Sequence, residues 1–231
     1  MKVLIINGTN HKGSTYSIAR ITAEKLTSAE NISEVFLPRD FNEFCLGCTN
    51  CFTKSAEACP HAEKLKPITE LIDNSDVIIF ASPVYVYHCT GQMKAFLDHY
   101  GWRWMAHRPD EKMFSKQAVV VATAAGAGVK STLKDMADSC FFWGIPQTYK
   151  LGKAVRATDW KSVSPKMKES IDSKADSIAK KILKRQGKVP VPLKTRAFFK
   201  IMSLIQRNGW NKADVDYWKE KGWTGSKRPW K

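Results

Sequence analysis

Three short stretches of the chain are apolar at almost every position: KVLII over residues 2–6, DVIIFA over 76–81 and QAVVVAT over 117–123. Each runs into turn-forming or small residues, namely Asn7-Gly8, Ser82-Pro83 and Ala124-Ala125-Gly126. An uninterrupted apolar run of this length is the pattern of a strand buried on both faces. SEVFL (33–37), stopped by Pro38, predicts another strand, and Gly144-Ile145-Pro146 lead into a last one near Thr148–Leu151. Helical spacing fills the intervals. Residues 14–27 carry Ile18, Ile21 and Leu26; 64–74 end at Asn74; 90–104 have Gly91 near the start; 129–143 and the basic stretch 164–186 complete the set. Strands alternating with helices predict βαβ units, a parallel sheet and right-handed crossovers.

Such a sheet takes its ligand where loops leave the carboxyl ends of the strands. The loop after the first strand, Gly8 to Tyr16, holds two glycines, three small hydroxyl side chains and a helix start. Backbone N–H groups at a helix N-terminus favour an anion, and Thr9, Ser14 and Thr15 add donors, with His11 and Lys12 supplying positive charge. The glycines do not fit GxGxxG and no Gly-Lys-Ser/Thr run occurs, so neither a dinucleotide fingerprint nor a Walker loop is present. The plain alternative is a helix capped by Ser14 or Thr15. The loop Ala81 to His88 carries Tyr85 and Tyr87, which share a side in extended chain. It suits a flat heterocycle or simple packing. The loop Thr123 to Gly128 lacks bulk, and Gly126 and Gly128 allow close backbone approach.

Length and composition narrow the class. The 231 residues suit one α/β domain with or without an appendage, and 43% hydrophobic residues can build a core, which excludes disorder throughout. No apolar run reaches membrane-spanning length. The N-terminal apolar stretch ends in a turn after five residues, so it reads as a strand rather than a signal peptide. Six cysteines without an export signal imply a reducing, cytoplasmic setting with thiols kept for chemistry.

Charge is segregated. Residues 1–149 hold 15 basic and 15 acidic side chains, and residues 150–231 hold 22 and 7, so the later part carries the whole +15. A neutral body excludes a uniformly nucleic-acid-binding domain. After the linker GKVPVP (187–192), residues 194–207 present Ala197, Phe198, Ile201, Met202, Leu204 and Ile205 among four basic residues, and Trp210, Trp218, Trp223 and Trp230 follow. The apolar face is expected to dock on the body or on a partner subunit, rather than on a membrane.

Four cysteines form a second constellation: Cys45-x2-Cys48-x2-Cys51-x7-Cys59-Pro60. Thiols this close can wrap a compact cofactor with Cys₄ ligation, stand free as redox thiols, or hold zinc, although zinc is more often held by two separated CxxC pairs. Residues 38–63 are long for a strand–helix connection, which itself implies a function. Cys89 and Cys140 stand apart and read as packed, inert thiols. His88 reads as a solvent-facing loop residue or a polar neighbour of a ligand. No nucleophile motif or paired-carboxylate signature is present, so chemistry would rest on a cofactor.

The NGT…GST loop, the SPVY turn followed by GQMKAFLD, and the TAAGAG loop together resemble the NADPH-dependent FMN reductase family of flavodoxin-like proteins over roughly residues 1–150. The cysteine spacing resembles that family's iron–sulfur flavoprotein subgroup. The resemblance implies an α/β fold: a flavodoxin-like, doubly wound, five-stranded parallel sheet in the order 2-1-3-4-5, with a helical C-terminal extension. Residues 1–186 would form the FMN-binding domain, with 38–63 a cysteine-rich insertion, and 187–231 the basic, Trp-rich extension. FMN phosphate contacts fall to Thr9, His11, Ser14, Thr15 and Tyr16. The isoalloxazine ring borders Pro83, Val84, Tyr85, Val86 and Tyr87, and its pyrimidine side meets Thr123, Gly126 and Gly128. The subgroup's [4Fe–4S] ligands map to Cys45, Cys48, Cys51 and Cys59. Two departures stand out: Asn10-His11 replace a frequent Pro-Arg, and Val86 replaces a frequent aromatic residue. The implied activity is an FMN-dependent NAD(P)H oxidoreductase that passes electrons to a quinone, a cluster or another small-molecule or protein acceptor. The alternative is an iron–sulfur electron carrier exchanging with ferredoxin. A homodimer or homotetramer is expected, with no nucleic acid and no membrane as partner.

Overall fold

In the computed structural model, which describes residues 1–230, β1 (Val3–Asn7) lies between β2 (Ile32–Phe36) and β3 (Val77–Pro83). The sheet continues through β4 (Gln117–Ala124) to β5 (Gln147–Ala154), in the order β2-β1-β3-β4-β5 with every pairing parallel. The expected fold is the observed one.

The period-two geometry of the strands sorts the apolar runs onto two faces. Leu4, Ile6, Ile78, Phe80 and Val120 join one core with Met93, Phe96, Leu133, Met136 and Trp143. Their chain neighbours Val3, Ile5, Val77, Ile79, Val119 and Val121 join the other with Ile18, Ala19, Ile171, Ile178 and Ile182. Helices α3 (Ala62–Asn74), α4 (Gly91–Asp98) and α5 (Val129–Phe142) thus cover the first face. Helices α1 (Ser14–Glu24) and α6 (Pro165–Lys184) cover the second. Each fully buried Val, Ile or Leu contributes about 1.5–3 kcal/mol, which is why KVLII, DVIIFA and QAVVVAT dominate the fold.

Several boundaries differ from the sequence pattern. The fourth helix stops at Asp98 rather than near 104, and a 3₁₀ turn at Gly101–Arg103 follows. A Cβ at residue 101 would sit 3.0 Å from the Phe52 ring, so Gly101 marks where the cysteine segment crosses the helix end. Strand β5 extends three residues past Leu151 because its backbone pairs with β4 as far as Ala154. Within residues 38–63 there is a short helix, α2 (Asn50–Thr53), and a 3₁₀ turn at Ala56–Ala58.

The C-terminal segment forms α7 (Leu193–Ile205) and α8 (Lys212–Glu220). Phe199, Trp218 and Trp223 are sealed into a third core with Met105 and Phe114, and Trp230 packs on its margin. One face of α7 therefore docks on the body, as expected. Trp210 does not take part and is 87% exposed. Among the described residues, no helix is long and apolar enough to cross a membrane.

Candidate functional site

The carboxyl ends of β1, β3 and β4 open onto a cleft of about 220 Å³. Thr9, His11, Ser14, Thr15 and Tyr16 line it from the first loop, Pro83, Val84 and Tyr85 from the second, and Thr123, Ala124 and Ala125 from the third. Close packing holds the loops together. Gly8 donates its N–H to the Ala81 carbonyl at 2.7 Å, and the buried Thr90 hydroxyl donates to the Gly8 carbonyl at 2.7 Å. A side chain at Gly8 would meet Thr90 Oγ1 at 2.8 Å, so only glycine fits there. Thr90 also caps α4, accepting from the Met93 N–H at 3.2 Å. This explains why the SPVY turn and the GQMKAFLD helix occur together.

The wall under the first loop is polar. Thr15 Oγ1 and Thr123 Oγ1 lie 2.6 Å apart, bridging α1 to the end of β4. Ser14 Oγ is buried and has no hydrogen-bond partner among the described residues, and neither has Asn7 Oδ1 on the same cleft. An unpaired buried hydroxyl costs about 1–3 kcal/mol. Gly13 precedes the helix in extended conformation without a side-chain cap. The first-turn N–H groups of α1 therefore remain available to an anion. The proposed cap at Ser14 or Thr15 is not what the structure uses: both lie inside the helix. The Thr9 hydroxyl donates forward to the His11 carbonyl at 3.4 Å.

The second loop corrects an expectation. Tyr85 to His88 is not extended. Tyr85 and His88 exchange N–H···O bonds of 3.0 and 3.1 Å, enclosing a two-residue reverse turn. Val86 and Tyr87 at its tip take φ of 47° and 68°. Left-handed backbone at a β-branched residue is strained, and Val86 is also 93% exposed. Tyr85 and Tyr87 consequently do not share a side, and only Tyr85 borders the cleft. The turn is anchored from α5. Asp135 accepts from the Cys89 N–H at 3.1 Å and pairs with His88 Nδ1 at 3.1 Å, and the Ser131 hydroxyl reaches the Tyr87 carbonyl. His88 is thus an exposed loop residue with a carboxylate partner.

Gly128 serves this turn rather than the cleft wall. Its φ is +89°, and a Cβ there would lie 2.5 Å from Val84 Cγ1 and 2.9 Å from Tyr87 Cα. Gly126 stands in open space, with nothing within 4 Å of an added Cβ. Four cleft residues escaped sequence reasoning: Asn7, Val155, Ala157 and Thr158. In the sequence, Asn7 before Gly8 signals only a turn. The other three follow β5, whose end the pattern placed too early.

The cysteine segment lies beside α3 and α8. Cys45 and Cys48 are exposed, Cys51 and Cys59 half-buried, and all are free thiols. Burial pushes the Cys51 thiol up, and charge on Cys59, Cys45 and Cys48 pushes it further, so the four share one neighbourhood. Among the described residues, no group of three or more His, Cys, Asp or Glu side chains is placed to hold a metal ion. The donor set, four soft thiolates on one loop, is chemically suited to an iron–sulfur cluster, while the thiols are gathered without being converged. Nearby, His99 Nδ1 donates to the Ala95 carbonyl at 2.7 Å, which leaves Nε2 to accept from His61 Nδ1 at 2.9 Å. Burial holds His99 below the ordinary histidine range.

Residues far along the chain fix this segment, and no pattern announced them. Arg108 donates to the Phe52 carbonyl at 2.9 Å and to that of Cys51, and it pairs with Asp214 of α8 at 2.8 Å. Asn211 adds a second donor to Phe52, also at 2.9 Å. Cys89 and Cys140 are packed in the core, as expected, and burial pushes both thiols up to about 12, which keeps them protonated at neutral pH.

A doubly wound parallel sheet in the order β2-β1-β3-β4-β5, with a polar cleft at its β1/β3 switch point, defines a flavodoxin-like protein. The chain belongs to the NADPH-dependent FMN reductase family, whose model matches residues 1–155, and it is an FMN-dependent NAD(P)H oxidoreductase. It is 28% identical over 202 residues to an iron-sulfur flavoprotein of Archaeoglobus fulgidus, covering 84% of this chain and 86% of the relative. It is 26% identical over 239 residues to an iron-sulfur flavoprotein of Clostridioides difficile, covering 96% and 99%. A crystal structure of an FMN-dependent NADH-azoreductase from Bacillus anthracis, in complex with FMN, shares the fold with a TM-score of 0.54 at 15% identity, covering 78% of this chain and all of that one.

Proposed function

We propose that FMN sits in the β1/β3 cleft with its phosphate on the first turn of α1. The buried, unpartnered Ser14 hydroxyl carries this reading: it is a donor held ready beside unpaired helix N–H groups. Thr9, His11, Thr15 and Tyr16 complete the phosphate end. Pro83, Val84 and Tyr85 border the ring, with Thr123 below, while the Val86-Tyr87 tip and the Gly126–Gly128 loop, which lie outside the cleft lining, would meet the ring only where it projects beyond the cleft. Bound FMN supplies hydride acceptance and onward electron transfer to a quinone, a cluster or another acceptor. The chain's residues bind and orient. The Thr15–Thr123 pair fixes the helix start against β4. Asp135 holds the turn that borders the ring. Thr90 keeps the first and second loops at one separation.

Cys45, Cys48, Cys51 and Cys59 would hold a [4Fe–4S] cluster, which supplies one-electron transfer. Their shared neighbourhood around Cys51 supports this second role, that of an electron carrier exchanging with ferredoxin. The deciding experiment is an absorption spectrum of protein purified without oxygen, followed by NADPH. Flavin bands that bleach with NADPH alone support the oxidoreductase. Bands that bleach only with reduced ferredoxin support the carrier. A colourless protein that fails to take up added FMN overturns both.

A further inference from the structure

From Ser177 to Ala213 the chain holds ten Lys and Arg and no Asp or Glu. This acid-free stretch spans the end of α6, the linker and all of α7. The folded chain turns it into one surface with two parts.

The first part is an apolar ridge. Helix α7 buries Thr195, Phe199 and Ser203 on the body. Its opposite side presents Leu193, Ala197, Ile201 and Leu204, at the i, i+4, i+8 and i+11 spacing of one helical stripe. Leu193, Ile201, Leu204 and Ile205 are all more than half exposed. Lys194 stands on one flank of the stripe, and Arg196, Lys200 and Arg207 occupy the other by helical position. The exposed Trp210 follows directly.

The second part is a groove of about 770 Å³ between α6 and the linker. Lys181, Lys184, Arg185, Lys188 and Arg196 line it, with no carboxylate among its described lining residues. Among the described residues, Arg185 is engaged by neutral partners, Gln147 and the Tyr149 hydroxyl, at 2.8 and 2.7 Å. The upstream carboxylates of α6, Asp172 and Asp176, are drawn away to Lys25 at 2.9 and 2.7 Å. Arg196 belongs to both parts, so ridge and groove are continuous.

We infer that this surface docks the protein on an anionic phospholipid bilayer. Apolar side chains of the ridge and Trp210 would enter the interface, while the flanking cations and the groove would meet lipid phosphates. The sign of the charge argues against a second copy as occupant. Two ridges laid together would bring cations against cations, with no carboxylate on either helix to offset them. An anionic lipid surface offers what both parts lack. The geometry also sets the orientation. Phe198 packs on Phe141 and Phe142 at the end of α5, at 5.5 and 5.7 Å. The other end of that 14-residue helix adjoins the third cleft loop, about 21 Å away. The flavin cleft would therefore open to water and not into lipid.

The test is co-sedimentation of the full chain with phosphatidylcholine vesicles, with and without phosphatidylglycerol. Retention is expected only on the anionic vesicles and should weaken as salt rises. Ile201→Glu combined with Leu204→Glu should abolish it, and both sites are exposed enough to leave the unfolding midpoint in place. Lys194→Gln, Lys200→Gln and Arg207→Gln together should weaken it about a hundredfold, at roughly fivefold per cation. No retention on anionic vesicles, or equal retention on neutral ones, overturns the inference. So does a drop in solution mass for the Ile201/Leu204 variant with vesicle retention intact, because the ridge would then be a subunit interface.

Discussion

Arg108 and Asp214 meet at 2.8 Å with 9% and 2% of their side chains exposed, and the same guanidinium holds the Cys51 and Phe52 carbonyls. The C-terminal extension is therefore fastened to the cysteine segment through a buried ion pair, beside the Asn211 bond to the Phe52 carbonyl. Asp214 also accepts from Asn211 and faces His107, each within 3 Å. Asp214→Asn would leave Arg108 buried without a counter-charge. The expected loss is about 3–5 kcal/mol, read from urea unfolding. Faster labelling of Cys51 by a thiol reagent in the folded protein should accompany it. Unchanged stability would show that the pair does not hold α8.

Ser14→Ala separates folding from binding. The hydroxyl has no partner in the folded chain, so its removal should leave ligand-free stability unchanged or slightly higher. FMN binding should weaken by about 1.5–3 kcal/mol, the range for a hydrogen bond to a charged group. Flavin fluorescence titration measures the second effect. Full affinity in the variant would put the phosphate elsewhere.

The Val86-Tyr87 turn predicts a gain. Val86 is held at φ 47° with its side chain in solvent. Strain of this kind costs about 1–3 kcal/mol, and asparagine tolerates the conformation far better than a β-branched residue. Val86→Asn should stabilise the chain by about 1 kcal/mol in equilibrium denaturation. A loss of stability would mean that the valine makes contacts outweighing its backbone strain.

Buried thiols set an alkaline limit. Cys140 is pushed from 9.0 to about 12 by burial, and Cys89 to about 12 by burial and then by Asp135. Between pH 9 and 12 the unfolded chain has released these protons while the folded chain keeps them. The folded state then binds more protons, so stability falls as pH rises through that window, and below it neither thiol adds a slope. Lys116 acts with the opposite sign. Burial pushes it down from 10.5 to about 8, so the folded chain sheds that proton first and Lys116 offsets part of the loss between those values. Cys140→Ala should make the decline shallower by up to about 1.4 kcal/mol per pH unit, read from urea midpoints at a series of pH values. An identical slope in wild type and variant would contradict the burial argument.

The fold was readable where a strand is buried on both faces, because both faces demand apolar residues: β1, β3 and β4 contain little else. Strand β5 was only half visible. It lies at the sheet edge, where Lys150 and Lys153 interrupt the pattern. Helix α8 leaves little trace in the sequence, because Val215, Tyr217 and Trp218 alone among its residues are large, apolar and packed inward. Its one local signal was Asn211, whose side chain caps it at the Ala213 N–H, 3.2 Å away. Cleft residues at the ends of β1 and β4 could be found by the strand-end rule. The Arg108–Asp214 clamp could not, since its partners stand 106 residues apart and neither has a local pattern that implies the other.

The placing of the whole positive excess beyond residue 149 has a kinetic consequence. The centre of charge is displaced from the centre of mass, so an approaching anionic body exerts a torque as well as a pull. The molecule would turn before it touches, with the acid-free surface of α6 and α7 leading. Added electrolyte shortens the reach of that torque to about 8 Å at physiological strength. Ionic strength should thus govern which end arrives first, even where the final contacts are unchanged.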